Sequence, residues 1–270
     1  MFTSVRKMIA LGAGLAAVVG VLSAATASGA ADHGNSRTKP TVVLVHGAFA
    51  DSSSWNGVVT RLRRDGYPVV AAANPLRGLA SDAAYVDATL RTITGPVVLV
   101  GHSYGGTVIT NAARGNAGVK ALVYVAGFAP DNGETPNQIQ TRFPGSTLGE
   151  TLEPIPLGNG AVDLRVRQDS FPQQFAADAP LQDAQLAAVA QRPINAAAFD
   201  EPSGAPAWQS IRSYFLIPTG DKSITPAAHQ FMAARAKGVT VTVAGASHAV
   251  LLSRPDITAR LIERAAQETS

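Results

Sequence analysis

The chain has 270 residues, is 46% hydrophobic and 15% charged, carries a formal charge of +3, and contains no cysteine. The missing thiols exclude disulfides, thiolate metal sites, a cysteine nucleophile and a lipidated signal, while the apolar fraction suffices for the core of a large α/β domain. Arg6 and Lys7 account for two units of the net +3 and no Lys/Arg cluster beyond them suggests nucleic acid, which is not an expected partner.

Residues 1–30 read as a secretory signal peptide. Arg6 and Lys7 precede the apolar run Met8 to Leu22, and Ala25-Thr26-Ala27 and Ser28-Gly29-Ala30 both offer small-residue cleavage sites. The run is short and rich in Ala and Gly for a membrane span, so no stable membrane anchor is expected after cleavage, and the protein is expected to be secreted. Ala31 to Lys39 is a polar leader, and the mature domain is expected over residues 31–270.

Thr41 to Val45 reads as a buried strand ending in His46-Gly47-Ala48-Phe49-Ala50-Asp51. A helix from Trp55 to Asp65 follows, with Trp55, Val58, Val59 and Leu62 on one face and Gly66 past its end. Val69 to Ala73 is the next strand, and Ser81 is the expected cap of a helix carrying Val86, Leu90 and Ile93. Val97 to Val100 runs without alternation into Gly101-His102-Ser103-Tyr104-Gly105-Gly106. That Gly-x-Ser-x-Gly spacing implies a sharp strand-to-helix turn that lifts Ser103 above the sheet, with the following helix continuing to about Arg114. Val119 to Val125 is another strand.

Strand–helix alternation of this kind implies a parallel sheet wound by right-handed crossovers, with ligands bound at the carboxyl ends of its strands. The rhythm breaks from Ala129 to about Ser210, where Pro, Gly and Gln are frequent and the helical segments are short, at Leu181 to Ala190 and Asn195 to Phe199. This stretch is expected to be a cap insertion over the strand ends, since Phe143, Phe171, Phe175, Phe199 and Trp208 argue against a disordered linker. Strands at Tyr214 to Ile217 and Val239 to Val243, and helices at Pro226 to Lys237 and Pro255 to Glu268, complete the α/β pattern.

A serine hydroxyl needs a base, and the base needs an orienting acid. Of the five histidines, His33 lies in the leader, His46 reads as a brace for the loop after its strand, and His102 is locked in the turn with its ring expected to point away from the hydroxyl. His229 falls within a helix and reads as a solvated or packing residue. His248, on a loop past the last strand, is the expected base. Asp221, after the Tyr214 to Ile217 strand, is the favoured acid and gives the order Ser, Asp, His; Asp131, in a Pro-Asp-Asn-Gly turn, is the rival. Asp256 reads as a helix first-turn residue and Asp51 as a loop residue. Acyl transfer also needs two N–H donors for the oxyanion: Tyr104 after the nucleophile, and Ala48 with Phe49 as the alternative.

His46-Gly47-Ala48, Gly101 to Gly106, Asp221 followed by Pro226, and Gly245 to His248 together resemble the α/β-hydrolase superfamily. The chain is most similar to the branch of bacterial carboxylesterases, plant methylesterases and hydroxynitrile lyases, over residues 41–130 and 212–265. The resemblance implies an α/β-hydrolase fold with a mostly parallel sheet, helices on both faces and a cap at about 129–210. It also implies Ser103 as nucleophile, His248 as base, Asp221 as acid, and Ala48 and Tyr104 as the oxyanion hole. The branch's lyases carry Thr where this chain has Gly47 and Lys where it has Ala249, which favours hydrolysis of a small-molecule carboxylic ester with neither a metal nor an organic cofactor. Ser103 itself sets the chain apart from dehalogenases and epoxide hydrolases, whose nucleophile is Asp. Phe49, Phe128 and the insertion are expected to shape the substrate pocket.

Overall fold

The computed structural model describes residues 38–269; the expected signal peptide and most of the leader lie outside the described residues. The first half of the described chain alternates: β1 (Thr41–Val45), α1 (Asn56–Arg64), β2 (Val69–Ala72), α2 (Leu79–Arg91), β3 (Val97–His102), α3 (Tyr104–Ala112) and β4 (Val119–Val125). Then come α4 (Pro136–Arg142), β5 (Leu152–Pro156), β6 (Val162–Val166), α5 (Phe171–Phe175), α6 (Leu181–Ala190) and β7 (Ile194–Asn195). The chain closes with β8 (Ser213–Pro218), α7 (Pro226–Arg235), β9 (Val239–Val243), α8 (Val250–Ser253) and α9 (Pro255–Thr269).

Six strands form one sheet in the order β2-β1-β3-β4-β8-β9, and every neighbouring pair is parallel. The central strands are covered on both faces, which explains their unbroken apolar sequence. Val43, Leu99, Tyr124 and Phe215 face the core shared with α2, α3 and α7, while Val42, Val98, Val123 and Tyr214 face the core shared with α1 and α9. Each fully buried Val or Leu contributes about 1.5–3 kcal/mol, so a chain without disulfides is held by these two layers. On α1, Val58 and Leu62 are fully buried as the helical spacing implies.

The segment between β4 and β8 is more ordered than its sequence suggested. It contains the Leu181–Ala190 helix as expected, and a 3₁₀ turn at Ala196–Phe199, but also α4, α5 and a three-stranded antiparallel sheet β5-β6-β7. Pro154 and Pro156 within β5 and the two-residue length of β7 hid that sheet, since prolines argue against a strand unless it lies at an edge. β5 is such an edge strand.

A second departure concerns α2. Ser81 is not its cap: the helix begins at Leu79 after Gly78, and the Glu201 carboxylate reaches from the insertion to accept from Leu79 N at 2.5 Å and Ala80 N at 2.9 Å. An anion suits a helix N-terminus, and Gly78 has no side chain to supply one.

Candidate active site

The chain leaves the buried β3 and turns into α3 at Ser103, whose φ of 52° and ψ of −124° are unusual for a residue with a side chain. Such a conformation persists only where the surroundings enforce it. Here they do so by close approach. A Cβ at Gly101 would lie 2.5 Å from Gly105 O, and one at Gly105 would lie 2.5 Å from Val45 O. The turn is tied down by Ser103 N donating to Val125 O at 3.2 Å and by Phe128 N donating to Ser103 O at 3.1 Å.

At the same end of the sheet, the loop after β9 carries His248 and the loop after β8 carries Asp221. His248 Nδ1 lies 2.8 Å from Asp221 Oδ2, and both side chains are buried. A carboxylate only accepts, so Nδ1 carries the proton and Nε2 presents its lone pair. Among the described residues none hydrogen-bonds His248 Nε2, a buried atom. Asp221 Oδ1 accepts from Ser223 N at 2.7 Å and Ile224 N at 2.9 Å. Burial pushes the Asp221 carboxyl upward, but attraction to His248 and the hydrogen bonds from His229 and His248 outweigh it and hold the group well below the usual carboxylate range.

His229 therefore corrects the sequence reading. It is neither solvated nor a packing residue: it is buried, and its Nε2 lies 3.0 Å from the same Asp221 Oδ2. Thr225 caps α7 and Pro226 opens it, which places His229 one turn in, facing back toward the loop before the helix. A histidine one turn into the helix that follows an acid-bearing loop is the signal that could have found it.

The two predicted oxyanion donors and their alternative separate clearly. Phe49 N donates to Arg192 O at 3.1 Å, so that N–H is committed. Neither Ala48 N nor Tyr104 N has an acceptor among the described residues. Tyr104 is fixed from its side chain: its hydroxyl donates to the buried Asp82 Oδ2 at 3.0 Å, a contact that sequence reasoning missed. Burial, followed by the nearby Asp82, pushes the Tyr104 phenol far up, so the hydroxyl stays protonated and donating.

His248 is gripped on both sides and from below. Ser247 donates to Asp178 Oδ1 through its N at 3.0 Å and its Oγ at 2.5 Å, Ala249 N donates to Phe175 O at 2.8 Å, and His102 Nε2 donates to His248 O at 3.1 Å. Burial first, and then the neighbouring His248, hold His102 well below the usual imidazole range, so it is a neutral donor to that carbonyl. Its ring packs on the His248 ring at 4.9 Å. His46 braces its loop as expected, with Nδ1 donating to Gly47 O at 2.9 Å and Nε2 accepting from Asn74 N at 3.0 Å. Asp131 makes a turn instead of meeting a histidine, with its Oδ1 accepting from Asn132 N at 2.8 Å.

An apolar cavity of about 40 Å³ lies beside these groups, lined by Phe49, His102, Phe171, Phe175, Ala249 and Leu251 among others. Phe49, His102 and Ala249 each adjoin a predicted site residue in sequence. Phe128 does not line this cavity; its carbonyl and N–H pack against the turn at Ser103 and Gly106.

A family model described as the alpha/beta hydrolase family matches residues 42–261. The chain belongs to the α/β-hydrolase family. Among relatives of this hydrolase-family chain, an α/β-hydrolase of Aspergillus novofumigatus is 27% identical over 257 residues, covering 85% of this chain and 98% of that protein. A carbendazim hydrolyzing esterase of a Nocardioides species is 29% identical over 167 residues, covering 50% of this chain and 69% of that protein. In the solved structure of polyneuridine aldehyde esterase the same fold recurs with a TM-score of 0.73 at 17% identity, covering 84% of this chain and 98% of that one.

Proposed function

We propose that this α/β-hydrolase is an exported serine esterase that cleaves small carboxylic esters through an acyl-enzyme. The observation that carries the reading is the buried His248, whose Nδ1 is committed to Asp221 while its Nε2 has no partner among the described residues, on the strand ends that also present the strained Ser103. The Nocardioides relative's name as an esterase points the same way, and the Arg6-Lys7 pair with the apolar run Met8 to Leu22 supports export.

In this reading Ser103 Oγ attacks the ester carbonyl while His248 Nε2 takes its proton. Asp221 keeps the imidazole in the Nδ1–H tautomer and stabilises its cationic form. The tetrahedral oxyanion accepts from Ala48 N and Tyr104 N, which are preorganised because the first is not spent on the cap and the second is anchored through its ring. The imidazolium protonates the leaving alcohol, and water repeats the sequence on the acyl-enzyme. The cavity beside Phe49 and Ala249 takes a small apolar group of the ester.

The test is turnover of a p-nitrophenyl ester series, from acetate to palmitate, by the protein and its Ser103→Ala variant, with fluorophosphonate labelling alongside. Turnover and labelling that vanish in the variant, without loss of thermal stability, are the expected result. A protein inert to every ester, with its serine unlabelled, would leave the fold standing and sink the esterase.

A further inference from the structure

A Ser-His-Asp arrangement requires one imidazole on its carboxylate, yet Asp221 Oδ2 accepts from two. His248 Nδ1 is at 2.8 Å and His229 Nε2 at 3.0 Å, with all three side chains at most 2% exposed. Oδ1 takes two backbone N–H groups. The carboxylate therefore holds four donors, and the reaction accounts for only one of the two imidazoles. We propose that His229 is a positioning residue for the base: it fixes the Asp221 carboxylate in the orientation that His248 needs and, by sharing Oδ2, moderates how strongly that carboxylate stabilises a protonated His248. The proposal rests on the esterase reading above.

An N–H donated to an anionic oxygen draws negative charge toward itself, leaving less to stabilise a cation on the other partner of that oxygen. Removing the donor from residue 229 therefore leaves Asp221 ionised, because Ser223 N and Ile224 N remain, but concentrates its charge on His248. His248 then holds its proton to higher pH. The other groups facing this pair do not compete for Oδ2. His102 is turned to the His248 carbonyl, Lys222 beside the acid donates to Gln173 O, and Asp178 of the cap is occupied with Ser247. On the elements packed around α7, Arg142 of α4 lies over the Phe231 ring, and Arg235 is paired with Glu134 at the far end of the helix.

The side chain of Gln can place an amide N–H where the His Nε2–H lies, Asn is one methylene too short, and Leu fills space with no donor. The experiment is the pH profile of kcat/KM on p-nitrophenyl acetate for the protein and its His229→Gln, His229→Asn and His229→Leu variants, with thermal unfolding of each. The acid limb is expected to move up by about half to one pH unit in His229→Leu and His229→Asn, the size of one hydrogen bond's worth of differential stabilisation, and to stay in place in His229→Gln. An unmoved limb in folded His229→Asn or His229→Leu overturns the proposal, and so does a limb that moves as far in His229→Gln. If His229→Leu fails to fold, the Gln and Asn pair decides alone. Should the protein prove inert to esters and fluorophosphonates, the esterase reading fails separately. The imidazole ¹³Cε1 titration of His248 in the same variants then still reads whether residue 229 shifts it.

Discussion

Asp178 lies in the cap, 69 positions before Ser247 in sequence, yet it holds the residue next to His248 by two hydrogen bonds. Burial pushes its carboxyl up, but the Ser247 hydroxyl and N–H, then Arg254, outweigh this and keep it below its ordinary value, so it is an anion at neutral pH. Hydrogen bonds to a charged group contribute about 1.5–3 kcal/mol each. Asp178→Ala removes two of them and strands the Ser247 N–H, while the half-exposed Arg254 pair adds little. The expected loss is about 2–4 kcal/mol of stability, allowing for water reaching the freed groups. The two other grips, Ala249 N on Phe175 O and His102 Nε2 on His248 O, keep the loop seated, so the fold survives. His248 nevertheless gains freedom. If about 1–2 kcal/mol of that loss is felt in the transition state, kcat falls roughly 5- to 30-fold with KM little changed. Asp178→Asn keeps an acceptor at Oδ1 and should recover most of both. Urea unfolding and steady-state kinetics on p-nitrophenyl acetate measure the two effects. A variant that loses the stability but keeps kcat within twofold would refute the coupling of cap to base, and one that loses neither would refute the contact itself.

Asp221 titrates below its ordinary value in the fold, so its contribution to stability is fully present above the unfolded value of about 3.9 and is lost as pH falls from there toward the folded value. Asp221→Asn should therefore cost most at pH 7, with the gap to the parent narrowing by about 1 kcal/mol at pH 3; a gap constant between urea titrations at the two pH values would contradict this. At Gly47 a Cβ would come within 2.6 Å of Ser103 Cβ and 2.7 Å of His102 O. Gly47→Thr should destabilise the fold by about 1–3 kcal/mol or more and abolish fluorophosphonate labelling of Ser103, whereas a variant with parental melting and labelling would show that the turn has slack.

The parallel sheet was legible because Val42 to Val45, Val97 to Val100 and Ala121 to Val125 are continuous apolar runs rich in Val that alternate with helical patterns, as strands buried on both faces require. Ser103 was legible from its glycines, and Asp221 and His248 from their place just past β8 and β9. Three of the contacts that stayed hidden share one physical cause. The Glu201 cap on α2, the Asp178 grip on Ser247 and the Tyr104–Asp82 bond join residues far apart in sequence through side chains whose local context is that of ordinary surface or helix positions. The cap sheet was masked differently, by prolines that only an edge strand tolerates. His229 lies between these cases, since its spacing from Asp221 was visible and only the inward aim of α7 was not.

These hidden contacts converge on the loops that the proposed chemistry uses. Arg192 O takes the Phe49 N–H beside Ala48, Phe175 O and Asp178 flank His248, and Arg77, in the loop after β2, reaches Asp163 at 2.8 Å and Pro193 O at 2.9 Å. With the Phe49 N–H occupied by a cap carbonyl, the Ala48 N–H has no acceptor among the described residues and is available to the oxyanion of the proposed reaction. Phe49 holds a φ of 61° there, and its ring meets Phe175 and Phe199 of the cap at 6.2 and 6.4 Å. A residue with a side chain keeps such a backbone only when its contacts enforce it. Loosening the cap at Phe175 or Phe199 therefore allows residues 48 and 49 to relax, and the proposed oxyanion hole loses its aim before any substrate contact is lost. Cap substitutions in this protein should accordingly lower kcat as readily as they change substrate preference, because the insertion builds the site from above as much as the sheet builds it from below.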